Sequence, residues 1–177
     1  NKNLMHSTIF FTTQEILKDL VSFDTTSCNS NITCIDYIHQ YCQSYATNTH
    51  VDYNHNKSKA NLLVTIGPNI KGGMILSGHT DVVPTKGQNW DNDPFAMVEK
   101  NNRLYGRGTC DMKGFIACVL ALVPIMAKST LKKPIHLVFS YDEEVGCQGI
   151  PSMIDHISSK LPTPASAIIG EPTNMSI

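Results

Sequence analysis

Apolar residues recur with two different periods along the chain, and the change of period divides it. Ile16, Leu17, Leu20 and Val21 follow Thr12-Thr13-Gln14-Glu15, a capping-box pattern that predicts a helix starting there. Asn31 is placed to cap a second helix, with Ile32, Ile35, Ile38, Tyr41 and Tyr45 along one side. Residues 49–59 are polar, alternating only at Val51 and Tyr53, and predict an edge strand and a loop.

From there the runs shorten. Residues 61–66 predict a strand closed by Gly67-Pro68, and residues 73–77 a short buried strand. Residues 96–99 and 103–105 flank Asn101-Asn102, the signature of a hairpin. Residues 112–127 form a long apolar segment, expected to be a buried helix that Pro124 ends or kinks. A strand at 135–141, an amphipathic helix at 150–160 and a short strand at 165–169 complete the pattern. Strands alternating with helices argue for an α/β layered sheet. No internal repeat or low-complexity linker interrupts it.

Composition narrows the function classes. The chain is 41% hydrophobic and 16% charged with a net charge of −1, ordinary for a globular domain. No basic stripe suggests a nucleic-acid or anionic-membrane partner, and no apolar run approaches a membrane span or a signal peptide. The six cysteines, Cys28, Cys34, Cys42, Cys110, Cys118 and Cys147, include no CxxC pair. A chain of this size needs no staples, so free thiols and a cytoplasmic setting are expected.

The chemistry lies in where acids and one histidine fall. His79 and Asp81 follow the 73–77 strand, Glu143 and Glu144 follow the 135–141 strand, and Glu171 follows the 165–169 strand. Asp111 stands at the expected N-cap of the 112–127 helix. In an open α/β sheet, ligands bind beyond the carboxyl ends of the strands, so these residues are expected to converge. Imidazole nitrogen and carboxylate oxygen are good zinc donors, and cobalt suits the same set. Two divalent cations set against Asp111, Glu144, Glu171 and one hydroxide leave a neutral centre, which a cleft tolerates. Without a cation the carboxylates would repel one another or protonate.

Asp81 is placed to orient His79, its carboxylate on the far imidazole nitrogen. Of the adjacent pair Glu143 and Glu144, one can face metal and the other the bound water, giving one ligand and one general base. Singly, these features are ordinary: a His-x-Asp, a Glu-Glu turn, a capping aspartate. Their joint placement is what carries the reading. Asp24, His39, His50, His55, His136 and His156 are read as surface or structural residues, and Cys110 and Cys147 as small packing residues.

Five segments carry a family resemblance. They are Ser77-Gly78-His79-Thr80-Asp81-Val82-Val83-Pro84, Trp90 with Asp93-Pro94-Phe95, the stretch 104–114 containing Gly106-Arg107-Gly108-Thr109-Cys110-Asp111-Met112-Lys113-Gly114, Asp142-Glu143-Glu144, and Gly170-Glu171-Pro172-Thr173. In order and spacing they resemble the co-catalytic zinc amidohydrolases, the family of acetylornithine deacetylase, succinyl-diaminopimelate desuccinylase, aminoacylase and the glutamate carboxypeptidases. The 106–115 and 170–173 wording is most similar to the acetylornithine deacetylases.

The resemblance implies a three-layer α/β/α sheet of the zinc-peptidase type, incomplete at the C-terminus. It implies His79 and Glu171 on a first zinc, Asp111 bridging to a second, Glu144 on the second, Glu143 as general base and Asp81 supporting His79. It also implies a cis peptide at Asp111–Met112. The implied substrate is a small N-acyl amino acid, N-acetyl-L-ornithine, cleaved to L-ornithine and acetate; succinyl-diaminopimelate or a peptide is the rival within the family. The family's last histidine ligand and its lid and dimerisation domain fall beyond Ile177. Residues 1–177 are therefore expected to be the N-terminal portion of a catalytic domain, inactive alone, from a homodimeric parent. A non-catalytic module and a one-metal hydrolase are the competing classes; Glu143 speaks against the first, because a structural site needs no general base.

Overall fold

Adjacent residues on the central strands point into different cores, and this places helices on both sides of one sheet. The computed structural model describes the backbone of residues 2–174 and the side chains of residues 12–174. Helix α1 (Lys2–Ser22) and helix α2 (Ile32–Cys42) precede strands β1 (Asn48–Tyr53), β2 (Ala60–Ile66) and β3 (Met74–His79). A hairpin, β4 (Val98–Lys100) and β5 (Arg103–Tyr105), leads to helix α3 (Lys113–Lys128). Strand β6 (Ile135–Ser140), helix α4 (Ile150–Lys160) and strand β7 (Ser166–Ile169) follow.

The main sheet has five strands in the order β1-β2-β6-β3-β7. β1, β2 and β6 pair antiparallel, whereas β6, β3 and β7 run parallel. The parallel trio is the part that matters for function, because it delivers three strand ends to the same edge. On one face Leu62, Val64, Ile66, Leu137 and Phe139 pack with residues of α1, α2 and α3. On the other, Leu63 and Val138 pack with Met153 of α4. Each fully buried aliphatic side chain contributes about 1.5–3 kcal/mol, so the larger core dominates. The result is the three-layer α/β/α arrangement.

Several local expectations are corrected. Thr12 to Glu15 do not start a helix, since α1 is already helical from Lys2. A cap is worth only about 1 kcal/mol, and propagating an existing helix needs no new nucleus. Asn31 occupies the N-cap position of α2 but makes no side-chain capping bond. Its amide instead donates to Ala60 O and Thr80 Oγ1 and accepts from Ala60 N, each at 2.9 Å. Pro124 does not end α3, which continues to Lys128. Burial of Ile116, Leu120 and Val123 along the same helix outweighs the roughly 3 kcal/mol that an internal proline costs.

Strand β3 is only partly buried, with Met74 at 39% exposure. Its neighbour β7 is exposed throughout, which leaves that end of the sheet uncovered. Cys110 and Cys147 are exposed and so are not packing residues, while all six cysteines are free thiols. The hairpin forms as expected, with Asn101 and Asn102 both at positive φ, as a tight two-residue turn requires. Among the described residues no helix is long and apolar enough to cross a membrane.

Candidate metal centre

The six residues singled out in the sequence meet at the carboxyl edge of β3, β6 and β7. His79 is the last residue of β3 and is 2% exposed. Its Nδ1 lies 2.8 Å from the carbonyl oxygen of Asp81. A carbonyl only accepts, so Nδ1 carries the proton and Nε2 is left for other partners. Nε2 lies 3.0 Å from Asp111 Oδ1, 3.7 Å from Glu143 Oε2 and 3.7 Å from Glu171 Oε1.

Asp81 supports His79 chiefly through that backbone carbonyl. Its carboxylate stands at 3.5 Å from Nδ1, farther than the spacing argument expects. The carboxylate is occupied elsewhere: Ser27 Oγ donates to it at 2.7 Å, Glu143 N at 3.0 Å and Glu144 N at 3.3 Å. Burial pushes the Asp81 pKa up, but the neighbouring His79 and the hydrogen bonds from Ser27 and the Glu143 amide outweigh it, and the net shift is downward.

Asp111 is not the helix cap. The cap position of α3 falls on Met112, and Asp111 meets His79 instead. The peptide bond between Asp111 and Met112 is cis, as the resemblance implied. Met112 is buried, and its Sδ accepts from the backbone N–H of His79 at 3.2 Å.

Two glycines allow α3 to approach the strand ends closely. A Cβ on Gly78 would stand 3.0 Å from Met112 Cε, and one on Gly170 would stand 2.0 Å from Phe115 Cγ. Each glycine immediately precedes a candidate ligand, His79 or Glu171.

The electrostatics suit a bound cation. Burial and the nearby Asp111 raise the Glu144 pKa. Glu171 is also raised, by burial first, then by Asp111 and Glu143 against the pull of His79. Burial alone would lower the His79 pKa, but Asp81 and Glu171 bring it up to about 9. Several acids thus crowd one imidazole, and a divalent ion would relieve their repulsion. Their donor atoms fall into two groups, His79-Asp111-Glu144 and His79-Glu143-Glu171, each with all atoms within 4.8 Å of one another. These are nitrogen and oxygen donors of the zinc type, so the residues present fit such an ion. His79 has one free nitrogen and serves one ion only. Among the described residues no second imidazole joins either group.

Sequence reasoning did not single out Ser27, Lys59 or Lys113. Ser27 sits in a short polar run, and nothing local marks it as different from Thr25 or Thr26. Lys113 is fully buried, with Nζ donating at 2.8 Å to Leu20 O and Phe23 O. Desolvation brings its pKa down to about 8. A lysine just inside a helix that follows an acidic residue gives no warning of that burial.

One imidazole and four carboxylates gathered at the carboxyl edge of parallel strands define a metallohydrolase-like α/β domain. The chain belongs to peptidase family M20/M25/M40, whose model matches residues 75–177. The acetylornithine deacetylase of Pasteurella multocida is 38% identical over 155 residues, covering 87% of this chain and 40% of its own length. That of Buchnera aphidicola subsp. Schizaphis graminum is 38% identical over 170 residues, 92% of this chain and 43% of its own length. This chain thus spans less than half the length of these relatives.

Solved structures agree on the fold. An M20 family metallo-carboxypeptidase from Sulfolobus solfataricus superposes with a TM-score of 0.76 at 21% identity, covering 89% of this chain and 37% of that one. Human carnosine dipeptidase 1 gives 0.69 at 20% identity, covering 89% and 38%.

Proposed function

We propose that the protein carrying this chain is a metal-dependent amidohydrolase that cleaves the acetyl amide of N-acetyl-L-ornithine, giving L-ornithine and acetate. The observation that carries the reading is the approach of Asp111, Glu143 and Glu171 to His79 Nε2, whose other nitrogen is tied to the Asp81 carbonyl. The substrate comes from the relatives' names, acetylornithine deacetylase at 38% identity.

In this reading His79, Asp111, Glu144 and Glu171 would hold zinc, with cobalt as a substitute, and Asp111 would be the ligand common to both metal positions. Bound zinc supplies Lewis acidity, which lowers the pKa of water and polarises an acyl carbonyl. Glu143 takes the proton from the attacking water and hands it to the departing ornithine nitrogen, leaving a neutral amine. It is 38% exposed, open enough to meet water and a substrate. Asp81 keeps His79 in one tautomer and holds the amides of Glu143 and Glu144, so that acid–base and ligand residues share one anchor. The second ion needs an imidazole or other ligand from elsewhere in the full-length protein, which is read as a homodimer.

Glu143→Gln in the full-length protein tests the assignment. Removing a general base costs about 10²–10⁴-fold in kcat. Steady-state assays with N-acetyl-L-ornithine and N-succinyl-diaminopimelate, before and after the change, read both the role and the substrate. Retention of full activity in the variant would refute the role of Glu143. A preference of the parent for the succinyl substrate would overturn the substrate.

A further inference from the structure

Beyond the six residues at the metal centre, a closed ring of hydrogen bonds joins four segments of the chain. Lys59, at the foot of β2, donates from Nζ to Ser27 O and to Asp142 Oδ1, each at 2.5 Å. Ser27 Oγ donates to Asp81 Oδ2 at 2.7 Å. Asp81 in turn accepts the amides of Glu143 and Glu144. Asp142 immediately precedes Glu143, which closes the ring.

Each member is restrained from its other side as well. The Lys59 backbone is held by Asn54, whose Oδ1 accepts from Lys59 N and whose N–H donates to Lys59 O, both at 3.0 Å. The Ser27 segment runs beside residues 80–82, with Ser27 N donating to Val82 O and Val82 N to Thr25 O, both at 3.1 Å. Asp142 has φ +57°, in the left-handed region, and is 8% exposed. Asp and Asn tolerate that backbone better than most residues, but it still needs its surroundings to hold it. The Lys59 and Asp142 side chains are only 15% and 11% exposed, so this pair is shielded in a way a surface ion pair is not.

We infer that the Lys59–Asp142 ion pair is a positioning device for the metal centre: it fixes the left-handed turn at Asp142 that aims Glu143 and Glu144. Neither Lys59 nor Asp142 reaches the reacting groups. Lys59 acts through two routes that meet at the same pair of acids. One runs through Asp142 into the backbone of Glu143. The other runs through Ser27 to the Asp81 carboxylate that receives both glutamate amides. A single ammonium thus holds both the start of the turn and the acceptor that the turn docks against. Groups that orient metal-site residues typically change affinity or activity by about 10–100-fold when removed.

The inference rests on the proposed roles of Glu143 and Glu144, and its test separates the two. Lys59→Met, Lys59→Arg and Asp142→Asn are made in the full-length protein beside Glu143→Gln. Asparagine retains the turn preference and volume at position 142 while removing the charge. Readouts are zinc affinity by calorimetry, the visible absorption of the cobalt-loaded protein, kcat and KM separately, and the urea midpoint. Lys59→Met and Asp142→Asn are expected to lower kcat or zinc affinity about tenfold or more, with KM changed less than about twofold and an altered cobalt spectrum. Lys59→Arg is expected to recover most of the loss, since it restores both donors.

Unchanged kcat, affinity and spectrum in Lys59→Met, with Glu143→Gln inactive, overturns this inference and leaves the proposed function standing. Full activity in Glu143→Gln overturns the proposed role of Glu143, on which this inference rests. If Lys59→Met does not fold, Asp142→Asn decides by the same measures. If neither folds, or both lose only urea resistance, the pair is a stabilising element and the inference is wrong.

Discussion

Ser27 Oγ donates to the buried carboxylate of Asp81 at 2.7 Å, although 54 positions separate the two residues. The bond brings the loop after α1 to the residue that also gathers the Glu143 and Glu144 amides. Ser27→Ala leaves part of a buried carboxylate without its shortest donor. The expected cost is about 1.5–3 kcal/mol, the range for hydrogen bonds to charged groups, read from urea unfolding of the metal-free protein. A change below about 0.5 kcal/mol would mean that the two backbone amides satisfy Asp81 without it.

Gly170 and Phe115 meet so closely that no side chain fits between them. A Cβ at position 170 would stand 2.0–2.3 Å from three ring carbons of Phe115. Gly170→Ala therefore forces either the ring or the start of the Glu171 segment to move. Overpacking of this kind costs about 1–3 kcal/mol. Because Glu171 is the next residue, zinc affinity is expected to fall together with stability, as calorimetry and urea titration of the same variant would show. Pairing Gly170→Ala with Phe115→Leu should restore both, and failure of that rescue would count against the clash as the cause.

Lys113 and the end of α1 offer a separate check on the packing behind the metal centre. Its ammonium donates to Leu20 O and Phe23 O, carbonyls that also accept from the backbone amides of Phe23 and Thr25. Lys113→Met keeps the stem and removes both donors. Loss of donors costs stability, whereas removal of a buried cation returns some of it. A net loss of about 1–2 kcal/mol in urea unfolding is expected, with α1 exchanging its amide hydrogens faster near residue 20. A variant more stable than the parent would show that the desolvation cost dominates.

His50 of β1 and His156 of α4 stack with ring centroids 3.6 Å apart and planes 5° from parallel. Burial, then the neighbouring His50, lowers the His156 pKa from 6.5; Asp52 opposes and Lys160 assists. A lowered folded value means the unfolded chain takes up its proton first as pH falls. The contribution to stability is therefore full above the unfolded value near 6.5 and is lost as pH falls from there through the folded value. An NMR titration of His156 should give a value below 6.5 that rises in His50→Ala. A His156 titrating above 6.5 in the parent protein would refute this.

Much of the fold was legible because its signals are local. The periodicity at residues 150–160 matches α4 (Ile150–Lys160), and the apolar run at 135–141 matches β6 (Ile135–Ser140) to within one residue. Helical and extended chains have periods of 3.6 and 2, and side-chain chemistry reports them directly. The capping signals at Asn31 and Asp111 misled about the side chains' partners for one common reason. A side chain able to cap is equally able to bond elsewhere, and tertiary partners took Asn31 and Asp111.

The sequence by itself determined which groups could do the chemistry: one histidine, the acids at the strand ends, and the expectation that parallel strands carry them to one edge. That follows from residue type and order, which need no coordinates. Only the tertiary structure decided that the Asp81 carbonyl, rather than its carboxylate, lies closest to His79. Only it brought in Ser27 and Lys59, because hydrogen bonds between segments dozens of residues apart leave no trace in local periodicity. The physical reason is that a strand end fixes where a side chain starts, whereas its aim depends on partners that arrive only when the chain has folded.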